Sequence, residues 1–221
     1  MINISTINKK TSYRINRKNK LPLESDTFFT NLRIFSCQEL ISNQHLIPTD
    51  SGIYLWFFKE FPSQLIHTGS CVKKDDLTLL YLGIVPKNSV GRRHLRDRIY
   101  GNHINGNAES STLRLSLGCL LREHLSIQLR CVNSENTFRF CTFDGHDGEP
   151  VLTNWMRENA FVSWVIDSTP WTSEKVLIQS HNLPLNIQHN GQNSDYRILK
   201  NMRRECKEFA RTLPIVSNNN H

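Results

Sequence analysis

Apolar residues in this chain fall into short blocks with two different periods. Residues 53–58 (Ile53, Tyr54, Leu55, Trp56, Phe57, Phe58) and 77–84 are nearly continuous apolar runs, rich in aromatic and branched side chains and bounded by turn-forming residues. Runs of that length and make-up predict buried β-strands. The stretch between them is polar, rich in Ser, Gly and Lys, and predicts the connection of a hairpin. Residues 127–132 and 138–143 alternate apolar and polar, which predicts a second hairpin joined by residues 133–136. Residues 160–166 form one unbroken apolar run, the pattern of a buried central strand.

The remaining apolar positions recur at helical spacing. Leu32, Ile34, Phe35, Leu40 and Ile41 predict a packed segment with a short helix capped by Ser36 and ended by Pro48. Pro86 bars a helix immediately after the second strand. Residues 91–100 then predict a short helix with Leu95 and Ile99 inward and Arg98 beside that face, and residues 101–107 read as a loop. Ser110, Ser111 and Thr112 can cap a helix bearing Leu113, Leu117, Leu120, Leu121 and Leu125, with Arg114 and Arg122 on another face. Glu149-Pro150 opens a helix with Leu152, Trp155 and Met156 on its apolar side. On a helix over residues 171–181, Glu174, Leu177, Ile178 and His181 share one face. A last helix over residues 195–212 carries Arg197, Lys200, Arg203, Arg204, Lys207 and Arg211, with Leu199 and Phe209 to dock it.

Two features of this pattern carry chemistry. Each strand of the first hairpin holds a tyrosine, so the pairing can bring two phenols together, as core packing or as a site. Glu174 is the polar member of an apolar face, where a carboxylate needs water, a partner or a metal ion.

Composition narrows the partners. The chain of 221 residues is long enough for one domain with extensions, and Lys and Arg outnumber Asp and Glu by 27 to 20. Such a balance favours polyanions. Lys87, Arg92, Arg93, Arg96 and Arg98 form the densest basic patch, where guanidinium groups can bind phosphate bidentately. The arm of residues 1–20 has Lys9, Lys10, Arg14, Arg17, Lys18 and Lys20 and no acid, and reads equally as a solubilising tail or a phosphate-neutralising one. The turn at residues 144–148 lacks a calcium-loop pattern. The six cysteines include no CxxC pair, which speaks against structural zinc and for reduced thiols in a cytoplasmic protein. No secretory signal or membrane span is expected.

Gly52-Ile53-Tyr54, Tyr81-Leu82-Gly83, an arginine in the following helix, and a glutamate with an asparagine twelve positions later together resemble the GIY-YIG nuclease superfamily. The resemblance implies an α+β fold: a small central antiparallel three-stranded sheet flanked by helices, with an inserted β-hairpin and helix over about residues 127–159. It divides the chain into a basic extension (1–45), the nuclease domain (46–190), and a basic helix and tail (191–221). It implies a Mg²⁺- or Mn²⁺-dependent endonuclease acting on DNA, with RNA left open, in which Tyr54, Tyr81, Arg98, His103, Glu174 and Asn186 form the site. One of the two tyrosines, Tyr81 in preference to Tyr54, takes the proton from water, Arg98 clamps the phosphate, Glu174 binds the metal, and Asn186 braces Glu174 and the backbone around it. Lys87, Arg92, Arg93, Arg96 and Arg114 contact nucleic acid. His103 stands five residues after Arg98, where the family more often has four; Leu82 replaces Ile or Val, and Ile84 stands where lysine is common, a loss Lys87 can cover. The competing readings are an inactive nucleic-acid-binding module of the same fold and a basic structural or ribosome-associated protein.

Overall fold

The computed structural model describes residues 13–14, 29, 32–59 and 65–217. Most of the basic arm at residues 1–20, part of the first hairpin's connection and the end of the polar tail lie outside the described residues. Strands β1 (Tyr13–Arg14) and β2 (Phe35–Ser36) precede helix α1 (Cys37–Ser42), whose first turn is capped by Ser36 Oγ accepting from Glu39 N at 3.1 Å. The predicted hairpin follows as β3 (Gly52–Phe58) and β5 (Leu77–Val85), with the short β4 (Lys73–Lys74) paired to β5. Then come α2 (Asp97–Ile104), α3 (Thr112–Leu121), the hairpin β6 (Ile127–Val132) and β7 (Ser134–Thr142), α4 (Glu149–Asn159), β8 (Ala160–Ile166), α5 (Glu174–Ser180) and α6 (Tyr196–Thr212).

The three long strands β8, β3 and β5 form the antiparallel centre of the main sheet, in that order, and the two-residue strands only extend its margins. β3 lies in the middle, which is why all seven of its residues are buried. β1 and β2 cover the far edge of β8, so β8 is interior as well.

Alternation along β3 sends Tyr54, Trp56 and Phe58 to the face packed by most of the helices, and Ile53, Leu55 and Phe57 to a second core with Leu177, Ile178 and Leu183. In β5 the register slips between the partners of Trp56 and Phe57: Trp56 pairs with Tyr81, Phe57 with Leu79. Leu80 is the extra residue of a β-bulge, and both Leu80 and Tyr81 join the helix-covered core while Leu79 and Leu82 face the other way. Tyr81, opposite Trp56 in the regular part of the ladder, shares the face of Tyr54 by alternation, and the bulge adds Leu80 to that face.

Several sequence expectations change. The segment 101–107 is not a loop from its start, because α2 continues to Ile104 and buries His103 and Ile104. The turn of the second hairpin is tighter than residues 133–136: Val132 already pairs with Ser134, and Asn133 alone turns the chain at φ 60°. The helix expected over 171–181 is interrupted, a 3₁₀ turn at Pro170–Thr172 preceding α5. α6 docks through Leu199, Met202, Cys206 and Ala210, whereas Phe209 is 57% exposed, on the wrong side of the helix to reach the core. The six cysteines are all buried and none is in a disulfide. No helix among the described residues is long and apolar enough to cross a membrane.

Candidate active site

Tyr54 is directly opposite Gly83 in the β3–β5 ladder, and Tyr81 lies one pair further along the same face. The two rings are 6.4 Å apart between centroids. Gly83 is required by space and not by backbone conformation: a Cβ there would stand 2.3 Å from Tyr54 Oη. The glycine beside the second tyrosine therefore makes room for the first.

Tyr54, 1% exposed, is locked by two partners from α2. Arg98 Nε donates to Tyr54 Oη at 3.2 Å, and His103 Nε2 lies 3.0 Å from the same oxygen. His103 Nδ1 is in turn 2.7 Å from Ser111 Oγ, the cap of α3. A chain of hydrogen bonds thus runs from Tyr54 through the imidazole to Ser111. The spacing of five between Arg98 and His103 is explained by the helix itself. α2 begins with an ordinary turn, Arg98 N bonding His94 O, and then widens to i→i+5 bonding, Asn105 N meeting Tyr100 O at 2.9 Å. In such a widened turn the residue five positions on stands about one turn above, so both side chains reach the same phenol.

Burial, then the charges of Arg98 and Arg114, hold His103 well below the ordinary imidazole range, so it is neutral at pH 7. Burial also pushes the Tyr54 phenol upward, Tyr81 adding to the effect and Arg98 opposing it. Burial works against the Arg98 charge, and the phenols of Tyr54 and Tyr81 more than offset it. Arg98 Nη1 donates to Ser110 O at 3.0 Å, so at least two of its five N–H groups are committed within the protein. Tyr81 Oη is 3.3 Å from Thr112 Oγ1 at the start of α3.

The phenols open on a cleft of about 230 Å³ whose lining includes Tyr54, Tyr81, Lys87, Arg98, Glu174, Asn186 and Arg203. Glu174, first residue of α5, reaches it from the opposite core, and His189 Nε2 lies 4.0 Å from its carboxylate. Burial raises the Glu174 carboxyl, with His189 and Lys87 opposing.

Not every residue expected in the site is at the cleft. His103 is fully buried behind Tyr54 and can act only through it. Asn186 does not brace Glu174; its amide accepts from Leu82 N at 2.9 Å and donates to Leu82 O at 2.7 Å, while Leu185 N bonds Leu80 O. One side chain thus satisfies the open edge of β5 as a strand would, beside the second tyrosine. Arg114 is no nucleic-acid contact. It is completely buried, donating to both the Glu149 carboxylate and its carbonyl, and to His103 O, Ile104 O and Thr153 Oγ1. Its pattern position beside the leucines of α3 gave no hint of that, because the partner is 35 residues away in α4. Arg92 and Arg93 are exposed, and Arg96 is half-spent on Ile47 O at 2.9 Å. Ser111, Thr112 and Arg203 are the site residues that periodicity did not single out.

A family model for the GIY-YIG catalytic domain matches residues 52–207. The chain belongs to the GIY-YIG family. Comparison with curated proteins and with solved structures finds no match. Membership points to nuclease activity and a nucleic-acid substrate, and gives the paired GIY and YIG elements of β3 and β5 their sense. The matched segment runs into α6, which supplies Arg203 to the same cleft as the motif tyrosines.

Proposed function

We propose that this GIY-YIG protein is a divalent-metal-dependent endonuclease that hydrolyses DNA phosphodiester bonds in the cytoplasm. The observation that supports this best is the convergence of Tyr54, Tyr81, Arg98 and Glu174 on one cleft from four different elements. Tyr81, more open than Tyr54, acts as a phenolate whose charge faces Arg98; it takes the proton from the attacking water and becomes a neutral phenol. The uncommitted N–H groups of Arg98 hold the scissile phosphate. Tyr54 fixes the angle of Arg98 and is itself held in place by its hydrogen bond to neutral His103.

Glu174 fits a Mg²⁺ or Mn²⁺ site of one carboxylate. It is raised by burial and faces a cleft, and no group of three or more His, Cys, Asp or Glu residues is found among the described residues, so water and phosphate oxygens would complete the shell. An ion held there would act as a Lewis acid on the leaving oxygen. Incubation of supercoiled plasmid with the protein in Mg²⁺, with and without EDTA, tests the reading; nicking by the wild type and its loss in EDTA and in Glu174→Ala are expected. Binding of DNA with no metal-dependent cleavage by the wild type would instead identify an inactive binding module.

A further inference from the structure

Arg203 is a cation of the cleft that no part of this reaction uses. It is largely withdrawn from water, it lines the cleft near Tyr81 and Cys119, and no hydrogen bond or ion pair to its guanidinium is present among the described residues. A desolvated guanidinium without a carboxylate is costly unless a ligand brings the anion. Arg203 also begins a row. Lys207 and Arg211 follow at i+4 and i+8 on α6, a span of about 12 Å at ~1.5 Å per residue, and both stand over the Phe138 ring, at 4.9 and 5.1 Å. Neither has an acidic partner among the described residues, whereas their neighbour Arg204 is paired with Glu208 at 3.8 Å. The row leads from the cleft outward and is left without counter-charge along its length.

We propose that α6 carries the backbone of the substrate strand as it leaves the cleft, with Arg203 holding a phosphate next to the reacting one and Lys207 and Arg211 holding phosphates further along. The inference rests on the nuclease reading for the nature of the ligand and adds a second phosphate subsite to it. Arg98, tied to Tyr54, then serves the reacting phosphate; Arg203, with all of its donors uncommitted, serves binding and register.

The test separates binding from chemistry by using Glu174→Gln as background and measuring fluorescence anisotropy of labelled single-stranded oligonucleotides across a salt series. Arg203→Met is expected to weaken binding about tenfold and to lower the slope of log K against log[salt] by about 0.7, the share of one phosphate on a single strand. Arg203→Lys should recover most of the slope and only part of the affinity, because the charge returns without the fork. Lys207→Met/Arg211→Met should lower the slope further only for oligonucleotides long enough to extend beyond the cleft. In the Glu174-intact enzyme, Arg203→Met should act mainly on KM. Wild-type affinity and slope in Arg203→Met, with an unchanged thermal melt, would overturn the proposal, as would a fall in kcat with KM unchanged. If the background protein binds no nucleic acid at all, the nuclease reading fails with it; if it binds but is indifferent to Arg203, only the α6 track fails.

Discussion

Gly83→Ala is the sharpest probe of the tyrosine pair, because the change is one methyl group aimed at one ring. The new Cβ would stand 2.3 Å from Tyr54 Oη, 2.4 Å from Cζ and 2.8 Å from Cε2. Ordinary contact between such atoms is about 3.5 Å, so the ring must retreat by about 1 Å. β5 cannot yield instead, being paired to β3 on one side and pinned at Leu82 by Asn186 on the other. Retreat stretches the 3.2 Å bond from Arg98 and the 3.0 Å contact with His103 out of hydrogen-bonding range. Overpacking costs about 1–3 kcal/mol and each lost hydrogen bond about 1 kcal/mol. A net loss of about 3 kcal/mol corresponds to a drop of roughly 6–12 °C in Tm for a chain of this size. Displacing a group that positions Arg98 by about 1 Å should also slow cleavage about 100-fold. Gly69→Ala is the matched control, since nothing lies within 4 Å of its Cβ. The assay is thermal denaturation of both variants followed by plasmid nicking. A Gly83→Ala protein that melts with the Gly69→Ala control and nicks at the wild-type rate would refute the claim that this glycine exists to seat Tyr54.

Three other perturbations have defined signs. Burial raises the Glu174 carboxyl, so its ionisation opposes folding; this penalty is absent in acid and grows as pH rises through the folded-state value. Glu174→Gln should therefore raise Tm near neutral pH and leave it unchanged below about pH 4, and Mg²⁺ should raise the Tm of the wild type alone. Arg114→Met strands the Glu149 carboxylate, which still accepts from Ala108 N at 2.8 Å and Phe140 N at 3.1 Å, and should cost about 3–5 kcal/mol in urea denaturation. An Arg114→Met/Glu149→Gln double variant that is as unstable as the single one would show that the stranded charge is not the cause. His103 is held below the usual imidazole range, so its ring should stay neutral through about pH 6 in an NMR titration; a midpoint near 6.5 would contradict the closed Tyr54–His103–Ser111 chain.

The parts of the fold legible in the sequence are those in which neighbours in sequence are neighbours in structure. The apolar runs of β3, β5 and β8 and the leucines of α3 each announce a surface to be buried, and the ladder and caps follow from them. Glu174 was visible for the same reason, as one polar residue on an apolar helix face. What periodicity does not carry is closure between distant segments. Arg114 looks like any surface arginine until Glu149 is folded over it, and Asn186 was assigned to the nearer Glu174 when its amide spans 104 residues to Leu82. Arg203 is one of six basic residues on the last helix in the sequence, and its direction depends on which face of α6 the core takes.

The spacing of His103 shows how far such closure can reach into local structure. At ordinary helical pitch, residues five apart diverge around the axis, and Arg98 and His103 could not both touch one hydroxyl. Here the helix is widened where Leu95, Ile99, His103 and Ile104 must all be buried. The weaker i→i+5 bonding is offset by two hydrogen bonds to Tyr54, one to Ser111, and the Arg114 donors that satisfy the carbonyls of His103 and Ile104. The period of α2 is thus set by what it has to hold. A spacing that departs from the family's usual four is, in this chain, compensated by the backbone, and the buried arginine that the sequence suggested for nucleic acid is part of what makes the compensation possible.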